Sequence, residues 1–404
     1  MGQSSVSEVF LIECSGQKLS GESRACELYT SDRFVKARAL AEKKSDNWYI
    51  LSAKHGLVEP NQIVQPYDLD IRSLKPPQIT EWAERASLSI MQCCQPNDRI
   101  TFLCSENYSD PLVESGAMDQ FVIRLPFKNM TRDKQLKRLV ELTSGSDRID
   151  DLNRFYSLLG RCKKNLGSDF GTPNFAIDIP EKGVYFFLRN SESRFLHHHQ
   201  PRIVRVGTHG VSKGSKSSLL DRLNTHYGTK LGGGNHRSSI MRLHIGAAML
   251  EANVFAHNAP TWGSKISPKN ELLGFENQLE KAVSNYISQL DMICLAINDE
   301  SSARSDRAYI EQNSIALLAG RDGPVDVADS SWLGSSSPKE AIQFSSLWNV
   351  DCVFGKYDSD FLDVLERYVN VTIGDTPPPQ SSIAPEHWYD RSRGRESKGQ
   401  KRLF

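Results

Sequence analysis

The 404-residue chain has no window approaching the run of about 18 apolar residues that a bilayer-crossing helix needs, which excludes a helical membrane span. Its first residues, Met1 to Glu8, are polar and carry no basic segment ahead of an apolar one, so a secretory leader is not expected. No C-x-x-C pair occurs. The eight cysteines are scattered at 14, 26, 93, 94, 104, 162, 294 and 352, which argues against a zinc ribbon and suits a reducing cytoplasm. Cys93 and Cys94 are adjacent and cannot easily bridge each other. Net charge is absent too: 49 Lys and Arg balance 49 Asp and Glu, so a nucleic-acid partner has to be argued from local charge. There is no internal repeat. Hydrophobic residues at 39% and charged residues at 24% are those of a globular chain, and the length predicts two domains.

Local charge is uneven. Between Arg202 and Arg242 lie eight basic residues (Arg202, Arg205, Lys213, Lys216, Arg222, Lys230, Arg237 and Arg242) and one acid, Asp221. His209, His226 and His236 are interleaved, with His244 just beyond, and Gly232-Gly233-Gly234 offers backbone that can approach a phosphate closely. Arg205, Lys213, Lys216, Arg237 and Arg242 are the candidate nucleic-acid contacts. The end of the chain, Arg391 to Arg402, is basic and aperiodic and follows Pro377-Pro378-Pro379; residues 376–404 read as a flexible tail.

The first half alternates strand and helix patterns. Strands are expected at 9–12, 48–52, 99–104 and 121–125, and helices at about 31–43, 76–92 and 133–143. That order predicts an α/β domain over 1–143, with a mostly parallel sheet, helices on both faces and a ligand site at the carboxyl ends of the strands. Ser144 to Asp150 is a polar break read as a linker. Residues 151–375 form a second domain: a helix at 150–166, strands at 183–188, 203–207 and 291–297, and helices at 219–226 and 306–318. His197-His198-His199 reads as a hairpin tip, because three consecutive histidines on a strand cannot all face one ion.

The second domain carries Gly183-Val184-Tyr185, then Arg205-Val206-Gly207, then Arg222 four residues before His226, then Glu311 in a helix after the third strand. In this order the elements resemble the GIY-YIG nuclease superfamily, over roughly residues 180–320. The resemblance implies an α+β domain with a three-stranded central sheet, and phosphodiester hydrolysis with Mg²⁺ or Mn²⁺. It implies Glu311 as the metal ligand, with Glu276 as the alternative. It also implies that Arg222 meets the scissile phosphate, that Tyr185 orients or deprotonates the attacking water, and that His226 helps activate it. Residue chemistry agrees: a hard cation prefers carboxylate oxygen, and a planar guanidinium matches phosphate. Residues four apart on a helix share a face, and imidazole titrates near neutrality. The chain departs from the pattern where Arg205 stands in place of the second tyrosine, a gap that His209 is placed to fill.

Cys14-Ser15, Ser52-Ala-Lys54-His55-Gly56-Leu57 and Pro66-Tyr-Asp68 resemble an uncharacterised bacterial and phage family, itself distantly similar to YaaA DNA-binding proteins and to accessory domains of archaeosine synthase. Cys14, Ser15, Ser52, Lys54, His55 and Asp68 are candidates for a pocket holding a flipped base, with Asp68 as an excision carboxylate or a helix cap. The combined expectation is a cytoplasmic DNA endonuclease with a domain that senses modified or unusual bases, in phage defence, restriction or repair. The competing readings are a glycosylase joined to an abasic-site nuclease, an RNA-directed nuclease, and a non-catalytic nucleic-acid-binding protein. Oligomeric state is left open, a homodimer included.

Overall fold

The computed structural model describes residues 6–144, 146–166, 179–197, 199–229, 232–256, 259–265, 271–386 and 388. The chain forms two compact units, Met1–Ile149 with Val327–Trp332, and Asp150–Asp326 with Leu333–Phe404. All eight cysteines are free. No helix among the described residues is long and apolar enough to cross a membrane.

In the first unit the chain runs β1 (Glu8–Glu13), β2 (Ser23–Arg24), α1 (Ala25–Leu28), α2 (Asp32–Lys44), β3 (Trp48–Ser52), β4 (Gly56–Val58), β5 (Ile63–Val64), α3 (Pro76–Cys93), β6 (Arg99–Leu103), α4 (Glu106–Glu114), β7 (Val122–Arg124) and α5 (Arg132–Ser144). The main sheet has the order β4-β3-β1-β6-β7. Strand β1 is central because Val9 to Ile12 are apolar without alternation and buried on both faces, as parallel strands between layers are. It pairs in parallel with β3 and β6, and β6 pairs in parallel with β7. Strand β4 runs antiparallel, which makes the sheet mixed. The chain folds back there because Gly56 takes φ +73° and Ser52 Oγ accepts the His55 amide at 2.9 Å. Successive crossovers leave β1 on opposite sides, toward β3 and then toward β6.

The second unit runs α6 (Asp147–Leu166), β8 (Gly183–Ser193), β9 (Pro201–Thr208), α7 (Leu219–Tyr227), α8 (Ile240–Glu251), α9 (Glu271–Ser288), β10 (Asp291–Ala296), α10 (Asp306–Ala319), α11 (Glu340–Ser345) and α12 (Phe361–Thr372), α6 beginning three residues before the division between units. Its sheet is antiparallel in the order β10-β8-β9. Tyr185 on β8 faces Gly207 on β9, and a Cβ at 207 would lie 2.2 Å from the phenol oxygen. Only glycine admits that ring. The outer edge of β9 is closed by residues 348–349: Trp348 N donates to Val204 O at 2.7 Å, and the Asn349 amide group brackets Val206 at 3.1 and 2.9 Å.

Three expectations change. The polar break is narrower than 144–150, since α6 begins at Asp147. Residues 382–384 and 388 are anchored rather than free: Ser382 Oγ and the amides of Ile383 (3.0 Å) and Ala384 (2.9 Å) donate to Asp306, and Trp388 packs on Tyr309 at 5.1 Å between ring centres. The basic run 391–402 lies outside the described residues. Helices α4, α8, α9 and α12 were not marked by the sequence pattern. Helix α8 shows why: Met241, Arg242, His244, Ile245, Ala248 and Met249 are all buried, so no polar face sets a period.

The fit at Gly207 is testable. Gly207→Ala is expected to destabilise the protein by about 1–3 kcal/mol through overpacking against Tyr185. A denaturant midpoint equal to wild type would contradict the close approach.

Candidate active site

Helix α7 starts with a reciprocal cap: Ser218 Oγ accepts the Asp221 amide at 3.1 Å and Asp221 Oδ2 accepts the Ser218 amide at 3.0 Å. This fixes the turn from which Arg222 and His226 project. His226 is fully buried, with Nε2 2.6 Å from the Tyr185 hydroxyl and Nδ1 2.8 Å from Ser239 Oγ. Tyr185 is fully buried as well. Burial, and then the charges of Arg222, Arg205 and Arg242, hold His226 well below the ordinary histidine range, so the ring is neutral. Ser239 Oγ also caps α8, accepting the Arg242 amide at 3.3 Å. Ser239 was not anticipated; it lies 13 residues beyond His226, and a capping serine is the only trace it leaves in the sequence.

Glu311, on α10, accepts the Thr208 amide through Oε1 at 3.1 Å, and no other donor reaches its carboxylate among the described residues. Burial raises its pKa, while Arg205, the Thr208 amide and Arg222 oppose the rise. Arg222 is half-buried, and its guanidinium has no hydrogen-bond or ion-pair partner among the described residues. Its charge is nonetheless felt at His209, His226 and Glu311. His209 is 5% exposed. Arg307, itself locked to Asp299 at 2.5 Å, donates to the His209 carbonyl at 2.8 Å and approaches Nε2 at 3.3 Å, leaving Nδ1 buried without a partner. Burial first, then Arg307, Lys182 and Arg222, push His209 down to about 4.

The expected phosphate contacts divide. Lys213 and Lys216 are exposed in the loop before α7. Arg205, Arg237 and Arg242 instead serve the fold. Arg205 is buried and donates to the Trp348 carbonyl. Arg237 grips both oxygens of Glu276, at 2.9 and 3.0 Å. Arg242 is fully buried, donating to Glu280 Oε2 at 2.8 and 2.5 Å and to the His226 carbonyl at 2.8 Å. Lys230 and His198 lie outside the described residues. Glu276, the alternative carboxylate, is occupied by Arg237 and by Thr261 Oγ1 at 2.7 Å. No group of three or more His, Cys, Asp or Glu side chains arranged to hold a metal ion occurs among the described residues.

The six pocket candidates of the first unit also divide. Cys14, Ser15 and Asp68 line a cavity of about 590 Å³ at the ends of β1 and β6. Ser52, Lys54 and His55 do not line it. Ser52 Oγ bonds the Tyr67 hydroxyl at 2.7 Å, and Lys54 and His55 are exposed at the β3–β4 turn. The fold-back into β4 takes them away from the other three. Asp70, rather than Asp68, makes the cap, accepting the Arg72 amide at 2.9 Å.

Three histidines set an acid sensitivity. His226 is held neutral, and His209 and His244 are pushed down to about 4, in each case chiefly by burial. Unfolding restores an ordinary value near 6.5, so their contribution is complete above that pH and is lost progressively as pH falls from there toward about 4. The melting temperature is expected to decline between pH 6.5 and 5, and His244→Gln to make the decline shallower. A flat profile in wild type would refute this.

Comparison with protein-family models matches residues 146–374 to the GIY-YIG domain and residues 9–141 to a family of unknown function, DUF6884. No curated protein and no solved structure matches the chain. The first match reaches beyond the motif core at 180–320 to include α6 at one end and α12 at the other, and it spans more than half of the 404 residues. The chain belongs to the GIY-YIG domain family.

Proposed function

We propose that the second unit is a divalent-metal-dependent DNA endonuclease, and that the first unit directs it to modified or unusual bases. The observation that carries the nuclease reading is Arg222: an arginine without a partner, half-buried, held near a carboxylate with an unclaimed oxygen. A cation left unpaired in a partly dry site favours an anionic ligand, and a planar guanidinium suits a phosphate. Glu311 fits a hard cation such as Mg²⁺ or Mn²⁺ in donor type, and one carboxylate with water and phosphate oxygens completing the shell is an ordinary Mg²⁺ arrangement. Such an ion supplies charge neutralisation and an activated water. His209 is held neutral beside Arg307 and adds a further polar contact to the phosphate.

Tyr185 and His226 form the proton-handling pair. With Nδ1–H donating to Ser239, neutral Nε2 takes the phenol proton as the phenol takes one from water. Both are sealed from solvent, so this role requires nucleic acid to open the surface near Gly207. That same burial, with Arg205 in the place of the second tyrosine, favours the second reading, a non-catalytic nucleic-acid-binding module. Joined to a base-recognition unit, a nuclease would serve defence against phage with modified genomes, or repair.

Nicking of plasmid DNA with Mg²⁺ tests the proposal, on unmodified and phage-modified DNA in parallel. Arg222→Ala and Glu311→Gln are expected to lower the rate at least 100-fold, about 3 kcal/mol, with melting temperatures retained. Tyr185→Phe is expected to lower the rate similarly; a rate near wild type would leave Tyr185 a packing residue. Failure of wild type to cut any DNA would overturn the nuclease and turn attention to RNA and to binding alone.

A further inference from the structure

The cavity of the first unit opens where the strand order reverses about β1, between the carboxyl ends of β1 and β6, whose residues Ile12 and Leu103 lie in register. Loops part at such a point in an open α/β sheet, and ligands sit there. Helices α2 and α4 both begin at this rim, with Ser31 and Ser105 lining it. Ser31 caps its own helix through the Phe34 amide. Ser105 does not: its hydroxyl and its amide both donate to Glu13, at 2.6 Å each, so the first turn of α4 starts without a side-chain cap. An uncapped helix start offers amides and positive dipole, here shared with the Glu13 carboxylate on Ser105 and with Glu106 in the first turn.

Arg33 is an independent sign. It lines the cavity, is only 7% exposed, and pairs with Glu13 through Nη1, while its Nε and Nη2 are buried with no partner. Unmet donors on a buried cation are costly unless something else supplies the acceptor. The acids around the rim are mostly spent. Glu13 serves Arg33 and Ser105, Asp70 is held by Arg72 at 2.5–3.1 Å, and Glu106 accepts the Asn129 amide at 2.8 Å. Lys18 and Arg132 make no hydrogen bond or ion pair with an acid among the described residues, although Asp70 feels the charge of Arg132, and Asp68 in the same lining is likewise unpaired. The volume of about 590 Å³ lies within the range of sites for small organic ligands and would stay largely empty around a bare phosphate.

We propose that this cavity binds one nucleotide unit, its phosphate met by Arg33, Arg132 and the start of α4 and the amino edge of its base by Asp68. This deepens the recognition role proposed for the first unit and uses none of the nuclease groups. The same chemistry is offered by a free mononucleotide and by a nucleotide flipped out of a strand.

Calorimetric titration of the full-length protein tests it, with the four deoxynucleoside 5′-monophosphates, their nucleosides and inorganic phosphate as probes. At least one monophosphate is expected to bind, with its nucleoside and inorganic phosphate each at least tenfold weaker. Arg132→Ala, at an exposed position, is expected to weaken binding about tenfold at unchanged melting temperature, and Arg222→Ala to leave it unchanged. Asp68→Asn is expected to alter the ranking of the four bases. Displacement of the bound monophosphate by a short single-stranded oligonucleotide would assign the source to a strand, and its absence would assign it to the free pool. No monophosphate binding at 1 mM, or phosphate binding as tightly as every monophosphate, or an Arg132→Ala protein that binds like wild type, would overturn the proposal. Loss of nucleotide binding with plasmid cleavage intact would remove this site alone; the converse would remove the nuclease alone.

Discussion

One contact organises the second unit: the Tyr185 ring passing under the bare backbone of Gly207. Any side chain at 207 would occupy the space of the phenol. Once the ring is there, its hydroxyl meets His226, and the position of α7 follows. His226 is then held from its far side by Ser239, and its carbonyl by Arg242. Arg242 binds Glu280 on α9, and Glu280 accepts both the backbone amide and Nδ1 of His236, at 2.5 and 2.9 Å. The Gly263 amide points at His236 Nε2 from 3.2 Å, so Nδ1 carries the proton and the ring donates to Glu280. The file from β8 to α9 is thus a continuous series of buried polar contacts, each satisfying the next. Burying Arg242 and Glu280 is tolerable only because each meets the other, and removing one would strand a charge at roughly 3–5 kcal/mol.

That network explains which features were legible in the residues and which were not. The strands were legible because β1 and β8 are apolar runs bounded by polar residues, and the helices α2, α3 and α10 because caps or period mark them. The order of Tyr185, Arg222, His226 and Glu311 was legible through its resemblance to the GIY-YIG pattern, and the fold brings Tyr185 and His226 into contact. The fate of the basic stretch was not. Arg242 finds its acid 38 residues downstream and Arg237 finds Glu276 39 residues downstream, across a helix boundary that α8 conceals because its buried positions include Arg242 and His244 while Ile240 and Leu243 are more exposed. A local count of charge sees only Asp221. The split of the six pocket candidates was hidden for a similar reason: Ser52 ends a parallel strand, as Cys14 nearly does, but the chain after Ser52 folds straight back into β4.

Pairing inside each unit decides which charges are left. In the second, most arginines of the basic stretch are consumed by carboxylates and carbonyls of the fold, and Arg222 is conspicuous by being left over. In the first, Glu13 and Asp70 are paired with Arg33 and Arg72, and Lys18 and Arg132 are left on a rim that also holds the unpaired Asp68. Unpaired cations remain at both sites although the chain as a whole is neutral. Net charge is therefore a poor guide here, because pairing inside the fold subtracts cations and anions unequally at each site.

Among the described residues, no broad basic track is left that could hold a polyanion along its length. Affinity of that kind grows with the number of phosphates neutralised, and among the described residues few cations remain free near either site: Arg222, Lys213 and Lys216 in one unit, Lys18 and Arg132 in the other. Recognition in such a protein has to come from placement rather than from charge density. A guanidinium near one carboxylate can select a single phosphate, and a cavity at two helix starts can select a single nucleotide. Groups of that kind discriminate by geometry, and their discrimination survives salt better than a long electrostatic contact does.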